Sequence, residues 1–203
     1  MAFLTRHFPP VSCCLRRLIL GCLALSATLL LCGMLVARAT AAEPASETRL
    51  KAALIYRFTT LTEWPAESFP SPDAPVLIRV IGREPLAEAI RSVVTGKRIG
   101  ARPIVVVAKK DLADVGPLHV LVFAEGTKEQ FEEQLARLGD KPVLTLSDLP
   151  GFTAAGGMIR LRRDGPRMNF DINIRALRQA EPAGFKLNPQ ILKLGRIVEG
   201  DDD

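Results

Sequence analysis

A chain of 203 residues with 48% hydrophobic and 24% charged residues has the balance of one folded domain, without a low-complexity tract or a repeat. Four of its 27 lysines and arginines (Arg6, Arg16, Arg17, Arg38) precede Ala41 and none of its 22 acidic residues does; the rest of the chain therefore stands at 23 against 22, with no basic footprint for nucleic acid. All four cysteines, Cys13, Cys14, Cys22 and Cys32, fall in the same N-terminal stretch, which removes disulfides, zinc–cysteine sites and cysteine nucleophiles from the chemistry of the remainder.

Arg6, Arg16 and Arg17 stand ahead of an apolar run, Leu18 to Val36, that ends in small residues around Ala37 to Ala42. This is the order of a secretory signal peptide. Residues 1–41 are read as that leader: cleavage is expected after Ala41, with Ala39 the next choice, because both supply the small side chains a processing site needs. Leu31 is too bulky to precede a lipidated Cys32, and Gly21-Cys22 comes too early in the run. Left uncut, the run is long enough to anchor the chain in a bilayer with its N-terminus inside. Under either reading residues 42–203 act beyond the inner membrane, in the periplasm.

Leu50, Ala53, Leu54, Arg57, Phe58 and Leu61 recur at helical spacing, with Ser46 as cap and Pro65 as stop, and predict a first helix with one apolar stripe. Val76 to Gly82 is a β-branched run, followed by a helix that Glu84-Pro85 opens and Gly96 closes. Ile104–Ala108 and Leu118–Ala124 read as strands, Lys128–Leu138 as a charged amphipathic helix, and Val143–Asp148 as another strand. Apolar strands alternating with helices predict βα units around a sheet buried on both faces. Gly157–Arg163 and Met168–Ile172 alternate, and Arg163-Asp164-Gly165-Pro166 between them signals a hairpin. A helix from Asn173 to Gln179 follows, Asn188-Pro189 opens a last helix to about Val198, and Gly200-Asp201-Asp202-Asp203 reads as a solvated end. The expected fold is a single α/β domain: a mainly parallel central sheet flanked by helices, with an antiparallel hairpin near its C-terminal end.

Motifs for chemistry are sparse. His119 is the one histidine after the leader and lies in an apolar strand, where a packed core residue is expected. As a base it would have to meet Ser147 and Asp148, and this pair lacks the glycine-flanked elbow of a nucleophilic serine. A strand-end turn suits Ser147-Asp148 better. No GxGxxG follows the first strand, and Gly151 to Gly157 ends in Gly156-Gly157 without the Lys-Ser/Thr of a P-loop. Asp111 with Asp114, and Glu129 with Glu132 and Glu133, read as solvated carboxylates. No enzyme activity, cofactor or metal is expected.

KAALIYRFTTLTEW (Lys51 to Trp64) with Pro65, VIG at Val80 to Gly82, Gly96-Lys97 and LHVLVF (Leu118 to Phe123) resemble the YfiR-like (DUF4154) family of exported proteins. The likeness continues through VLTLSDLPGF (Val143 to Phe152), GGMIRL (Gly156 to Leu161), MNFDIN (Met168 to Asn173) and ILKLGRIV (Ile191 to Val198). The resemblance implies a periplasmic regulator that binds the periplasmic region of an inner-membrane diguanylate cyclase and holds it inactive, lowering cyclic-di-GMP and biofilm formation. It also implies an outer-membrane lipoprotein that relieves the inhibition by sequestering the repressor. Family members often carry a cysteine just before the strand histidine; Leu118 stands there in this chain, so thiol control does not carry over.

Tyr56, Arg57 and Trp64, with Arg160 and Asn169, are the candidates for partner contact, because large amphipathic residues anchor interfaces. Trp64 beside Pro65 also suits inward packing, and Arg57 on the apolar stripe needs a partner or a snorkelling stem. His119, Ser147, Asp148, Gly156 and Gly157 are read as structural. A homodimer is expected from the prevalence of two-fold assemblies. The alternative is a periplasmic small-ligand sensor with a pocket lined by the loops after Gly82, Ala124 and Asp148.

Overall fold

The computed structural model describes residues 45–113 and 115–200. The expected leader and its cleavage site, Asp114 and Asp201 to Asp203 lie outside the described residues, and no helix among those described is long and apolar enough to cross a membrane. Helix α1 occupies 45–60, so Ser46 lies within it and does not cap it. Its buried stripe is Ala52, Ile55, Phe58 and Thr59, while Arg57 and Ala53 are exposed and Leu50 is 44% exposed. The stripe expected from hydrophobicity is therefore displaced around the helix. Two threonines explain the shift: Thr59 Oγ1 donates to the Ile55 carbonyl at 2.7 Å and Thr62 Oγ1 to that of Phe58 at 2.8 Å. Their hydroxyls are satisfied on the helix itself, which lets polar residues enter the core. The helix stops short of Pro65 because Thr62–Glu63 (β1) turns out to pair antiparallel with Lys186–Leu187 (β9).

The main sheet has eight strands in the order β10-β8-β7-β6-β5-β2-β4-β3. These are β2 (Val76–Ile81), β3 (Arg98–Ile99), β4 (Arg102–Lys109), β5 (Val120–Phe123), β6 (Leu144–Ser147), β7 (Ile159–Asp164), β8 (Arg167–Asn173) and β10 (Arg196–Val198). The centre is parallel from β4 through β2, β5 and β6 to β7, and β7–β8 is the antiparallel hairpin, turning at Gly165-Pro166. Helix α2 (Glu84–Val94) carries the crossover from β2 to β4, and α3 (Lys128–Leu138) that from β5 to β6. α3 opens on a capping box: Thr127 and Gln130 each accept from the other's backbone N–H.

Alternate residues of the strands feed two cores. Ile78, Val80, Val120, Val122, Leu144 and Leu146 pack with α1 and α2, and Leu121 and Phe123 pack with Phe131 and Leu138 of α3. The second core centres on Phe123, Phe131 and Phe152, whose ring centroids lie 5.3–5.6 Å apart. The expectation of a sheet covered on both faces fails at β4. Val105 and Val107 are 40% and 37% exposed, because α3 lies over β5 and β6 and does not reach that far.

Arg98–Ile99, where the sequence suggested no element, is a strand returning on β4. Two expectations change near the C-terminus. The last helix, α5, is only Pro189–Leu192, capped by Asn188; Gly195 then admits the chain beside Phe170, and Arg196–Val198 joins β8 as a parallel strand. A Cβ at Gly195 would lie 2.5 Å from the Phe170 ring, so the glycine marks this close approach. Gly200, read as solvated, is buried against Asn173 and Thr153. Asn173 caps α4 (Ile174–Ala180) by accepting from Ala176 N at 3.1 Å and donates to the Thr153 carbonyl at 3.0 Å.

Candidate functional site

Most of the residues singled out by sequence fall into three groups. At the N-terminal ends of the parallel strands, His119 is fully buried ahead of β5. Its Nδ1 accepts from Leu77 N at 3.1 Å, which fixes the proton on Nε2. Nε2 makes no hydrogen bond of normal geometry. The ring stacks on Phe69 at 4.2 Å, the Arg102 guanidinium covers the other face of Phe69 at 3.5 Å, and Trp64 meets His119 edge-on at 5.7 Å. Arg102 is held there by donating to the Ser71 and Ala74 carbonyls. Burial pushes the imidazole down to about 4, against a hydrogen-bonding pull from the Ser68 backbone and with a further push from Arg102. It is a neutral core group.

At the opposite ends of the strands, Ser147 is buried, donates to the Phe123 carbonyl at 2.9 Å and accepts from Leu149 N at 3.1 Å. Asp148 takes a 2.6 Å ion pair from Lys51, which also meets Glu47 at 2.6 Å, and Glu47 receives Arg163 at 2.7 Å. This chain of charges ties α1 to the end of β6 and to the hairpin. Burial opposes the charge on Lys51, yet its hydrogen bonds to Asp148 and Glu47 hold its pKa above the usual lysine value, and Lys51 in turn holds Glu47 low. His119 and Ser147 are not brought together. Val120 is in register with Leu144, so Ser147 sits about four strand residues, roughly 13 Å, beyond His119. The triad of His119, Ser147 and Asp148 does not exist.

The third group lies on the hairpin. Arg160 is in register with Asp171 and Asn169 with Arg162, so all four share one face of the sheet. Asp171 is 1% exposed and receives Arg196 of β10 in a bidentate pair at 2.8 and 3.1 Å, with Arg162 at 3.4 Å. Burial works to raise the Asp171 pKa, but the Arg196 hydrogen bonds and the charges of Arg196, Arg162 and Arg160 hold it below the carboxylate range. Asn169 reaches only as far as Asp164, at 3.4 Å.

Tyr56 and Arg57 lie on α1, away from the hairpin face that holds Arg160 and Asn169, and Arg57 is exposed. Lys97, of the Gly96-Lys97 pair, stands 4.3 Å over the Tyr56 ring. Gly156 adopts φ +96°, and a Cβ on Gly157 would fall 2.2 Å from Phe152, so this pair makes the turn that packs Phe152 into the second core. Sequence reading missed Lys51, Asp171 and Arg196. The i, i+4 spacing of Glu47 and Lys51 was a readable signal; the meeting of Asp171 with Arg196 depends on β10 and had none.

Where the ligand pocket was expected, beyond Gly82, Ala124 and Asp148, the structure is tight at two points. Glu125 packs against Gly82, leaving no room for a Cβ there, and the void beside Lys51, Ser147 and Asp148 is about 10 Å³, one water at most. A larger cavity of about 570 Å³ lies between α3 and α4, edged by Glu132, Asp140, Lys141, Thr145 and Gln179. Among the described residues no cluster of histidine, aspartate and glutamate could hold a metal. Over residues 48–196, from α1 to the first residue of β10, the sequence matches the DUF4154 family model, described as YfiR/HmsC-like, and the chain belongs to that family.

Proposed function

We propose that this protein is an exported, non-catalytic regulator that binds the periplasmic region of an inner-membrane diguanylate cyclase and holds it inactive, lowering cyclic-di-GMP and biofilm formation. The observation that carries the reading is the family match across residues 48–196, since YfiR/HmsC-like membership suggests a periplasmic regulator of a diguanylate cyclase. The side chains support a binding role over a hydrolytic one. Ser147, Asp148 and His119 are each committed to structural bonds, and they stand at opposite ends of the strands.

A binder of this kind acts by preferring one state of its target: about 5.5 kcal/mol of differential affinity takes a two-state cyclase from almost fully on to almost fully off. Sequestration by an outer-membrane lipoprotein and a homodimeric form belong to the same proposal. Deleting the gene and measuring cyclic-di-GMP tests it. A rise, reversed by restoring the exported chain, is the expected result; unchanged cyclic-di-GMP sinks the reading. The cavity between α3 and α4 favours a second reading, a small-ligand sensor, and a thermal-shift screen of periplasmic metabolites checks it.

A further inference from the structure

We propose that the open edge of β4 docks an extended, acidic segment of a partner protein, which joins the sheet as an added strand. This rests on the binding-module reading above and states where the partner sits and what chemistry it brings.

β3 covers only Arg102 and Pro103 of β4, so Ile104 to Lys109 have β2 on one side and, among the described residues, no strand on the other. The Lys109 carbonyl accepts from Gly82 N at 3.0 Å and so points toward β2. Backbone groups of successive strand residues point to opposite sides, which turns the N–H and C=O of Ile104, Val106 and Ala108 outward. An edge in this state is a template for another strand. The Arg91 Nε contact to the Val106 carbonyl is long, at 3.4 Å, and displaceable. A groove of about 410 Å³ runs beside the edge, between it and the end of α2, lined by Arg91, Thr95, Lys97, Arg98, Ile104 and Val106. Val105 and Val107, in register with Leu77 and Arg79, add an exposed apolar strip on one face.

Charge selects the occupant. Residues 97–110 hold Lys97, Arg98, Arg102, Lys109 and Lys110 and no aspartate or glutamate, in a chain that after Ala41 carries 23 basic and 22 acidic residues in all. Lys97, Arg98, Lys109 and Lys110 are exposed, and none is paired with a carboxylate among the described residues. A second copy of this chain fits badly. Antiparallel self-pairing about Val106 brings Lys109 and Lys110 of each copy to the β3 end of the other, where Arg98 is exposed, and like charges in such proximity repel. A segment of alternating apolar and acidic residues places its carboxylates among these cations and its apolar side chains on Val105 and Val107. Main-chain bonds to the edge then supply affinity, as in other strand-addition complexes.

The test combines binding with amide hydrogen exchange on the purified protein. Two probes are used: the purified periplasmic region of the cyclase, and a synthetic nine-residue peptide alternating valine and glutamate, with its valine–lysine counterpart as control. Both the cyclase region and the glutamate peptide are expected to protect the amides of Ile104, Val106 and Ala108. The Arg98→Glu/Lys110→Glu double variant is expected to weaken binding about tenfold, while Lys128→Glu on α3 leaves it within about twofold. Val106→Pro removes an outward N–H without touching the β2 ladder, and is expected to abolish the protection. Tight cyclase binding with these three amides unprotected overturns the edge proposal and leaves the regulator reading standing. If the cyclase does not bind, the regulator reading fails and the peptide decides the edge: protection keeps it, and no protection discards it. Protection that appears with rising protein concentration alone identifies a second copy as the occupant and overturns the acidic-segment proposal.

Discussion

The indole Nε1 of Trp64 donates to the backbone carbonyl of His119 at 3.2 Å, while the two rings meet edge to face at 5.7 Å. Trp64, four residues beyond the first helix, thus closes the N-terminal end of the sheet against β5. The same carbonyl also accepts from Leu144 N at 2.9 Å, so it stays satisfied if the indole is lost. Trp64→Phe, which keeps a ring, is expected to cost about 1 kcal/mol of unfolding free energy, and Trp64→Ala about 3 kcal/mol. Urea titration of the two variants checks the pair of values. Equal losses would show that the ring packing contributes little.

The buried imidazole makes stability depend on pH. Its folded pKa of about 4 lies below the ordinary 6.5, so the unfolded chain takes up the proton first. The stabilising contribution is complete above pH 6.5 and is lost as pH falls from there toward 4, to a total of about 3 kcal/mol. His119→Asn keeps an acceptor near Leu77 N and removes the titration. Chemical denaturation at stepped pH is expected to show the wild-type curve falling through this window and the variant curve flatter. Parallel curves would refute it.

Asp171 neutralises Arg196 and Arg162 from within the sheet. Asp171→Asn leaves those cations together without a counter-charge and is expected to cost about 3 kcal/mol. β10 should loosen first, since its Arg196 pairs with this carboxylate. Limited trypsin digestion is expected to cut after Lys193 or Arg196 earlier in the variant than in the native protein. The Asp171 pKa is held low in the fold, so its contribution is present above the ordinary carboxylate pKa and is lost as pH falls below it.

Gly157 is required by the ring it faces. Gly157→Ala drives a methyl into Phe152, which is fully buried against Phe123 and Phe131, and overpacking of this kind costs about 1–3 kcal/mol. Pairing it with Phe152→Leu should recover part of the loss. A double-mutant cycle with additive losses would show that the two positions do not meet.

The apolar runs of β5 and β6 were legible as strands because burial on both faces demands them, those of β2 and β4 because β-branched residues favour strands even where one face is partly exposed, and α3 was legible to the residue because its capping box and charged face are local features. The α1 stripe was misread for a local reason too, since hydrophobicity counts do not credit a threonine that bonds its own helix. Other elements had no local signal. Arg98–Ile99 and Arg196–Val198 become strands only because a neighbour offers an unpaired edge, and a last helix read to Val198 stops at Leu192 for the same cause.

By itself the sequence determined the α/β class, the hairpin, an apolar N-terminal run that holds all four cysteines, and the likeness to a family, because periodicity, turn residues and motif order are properties of the chain. Only the tertiary structure decided which residues meet: that His119 and Ser147 stand at opposite strand ends, that Asp171 gathers arginines from two strands, and that β4 keeps an open basic edge. Contacts between residues far apart in sequence depend on strand order and register, and neither is encoded in any local window.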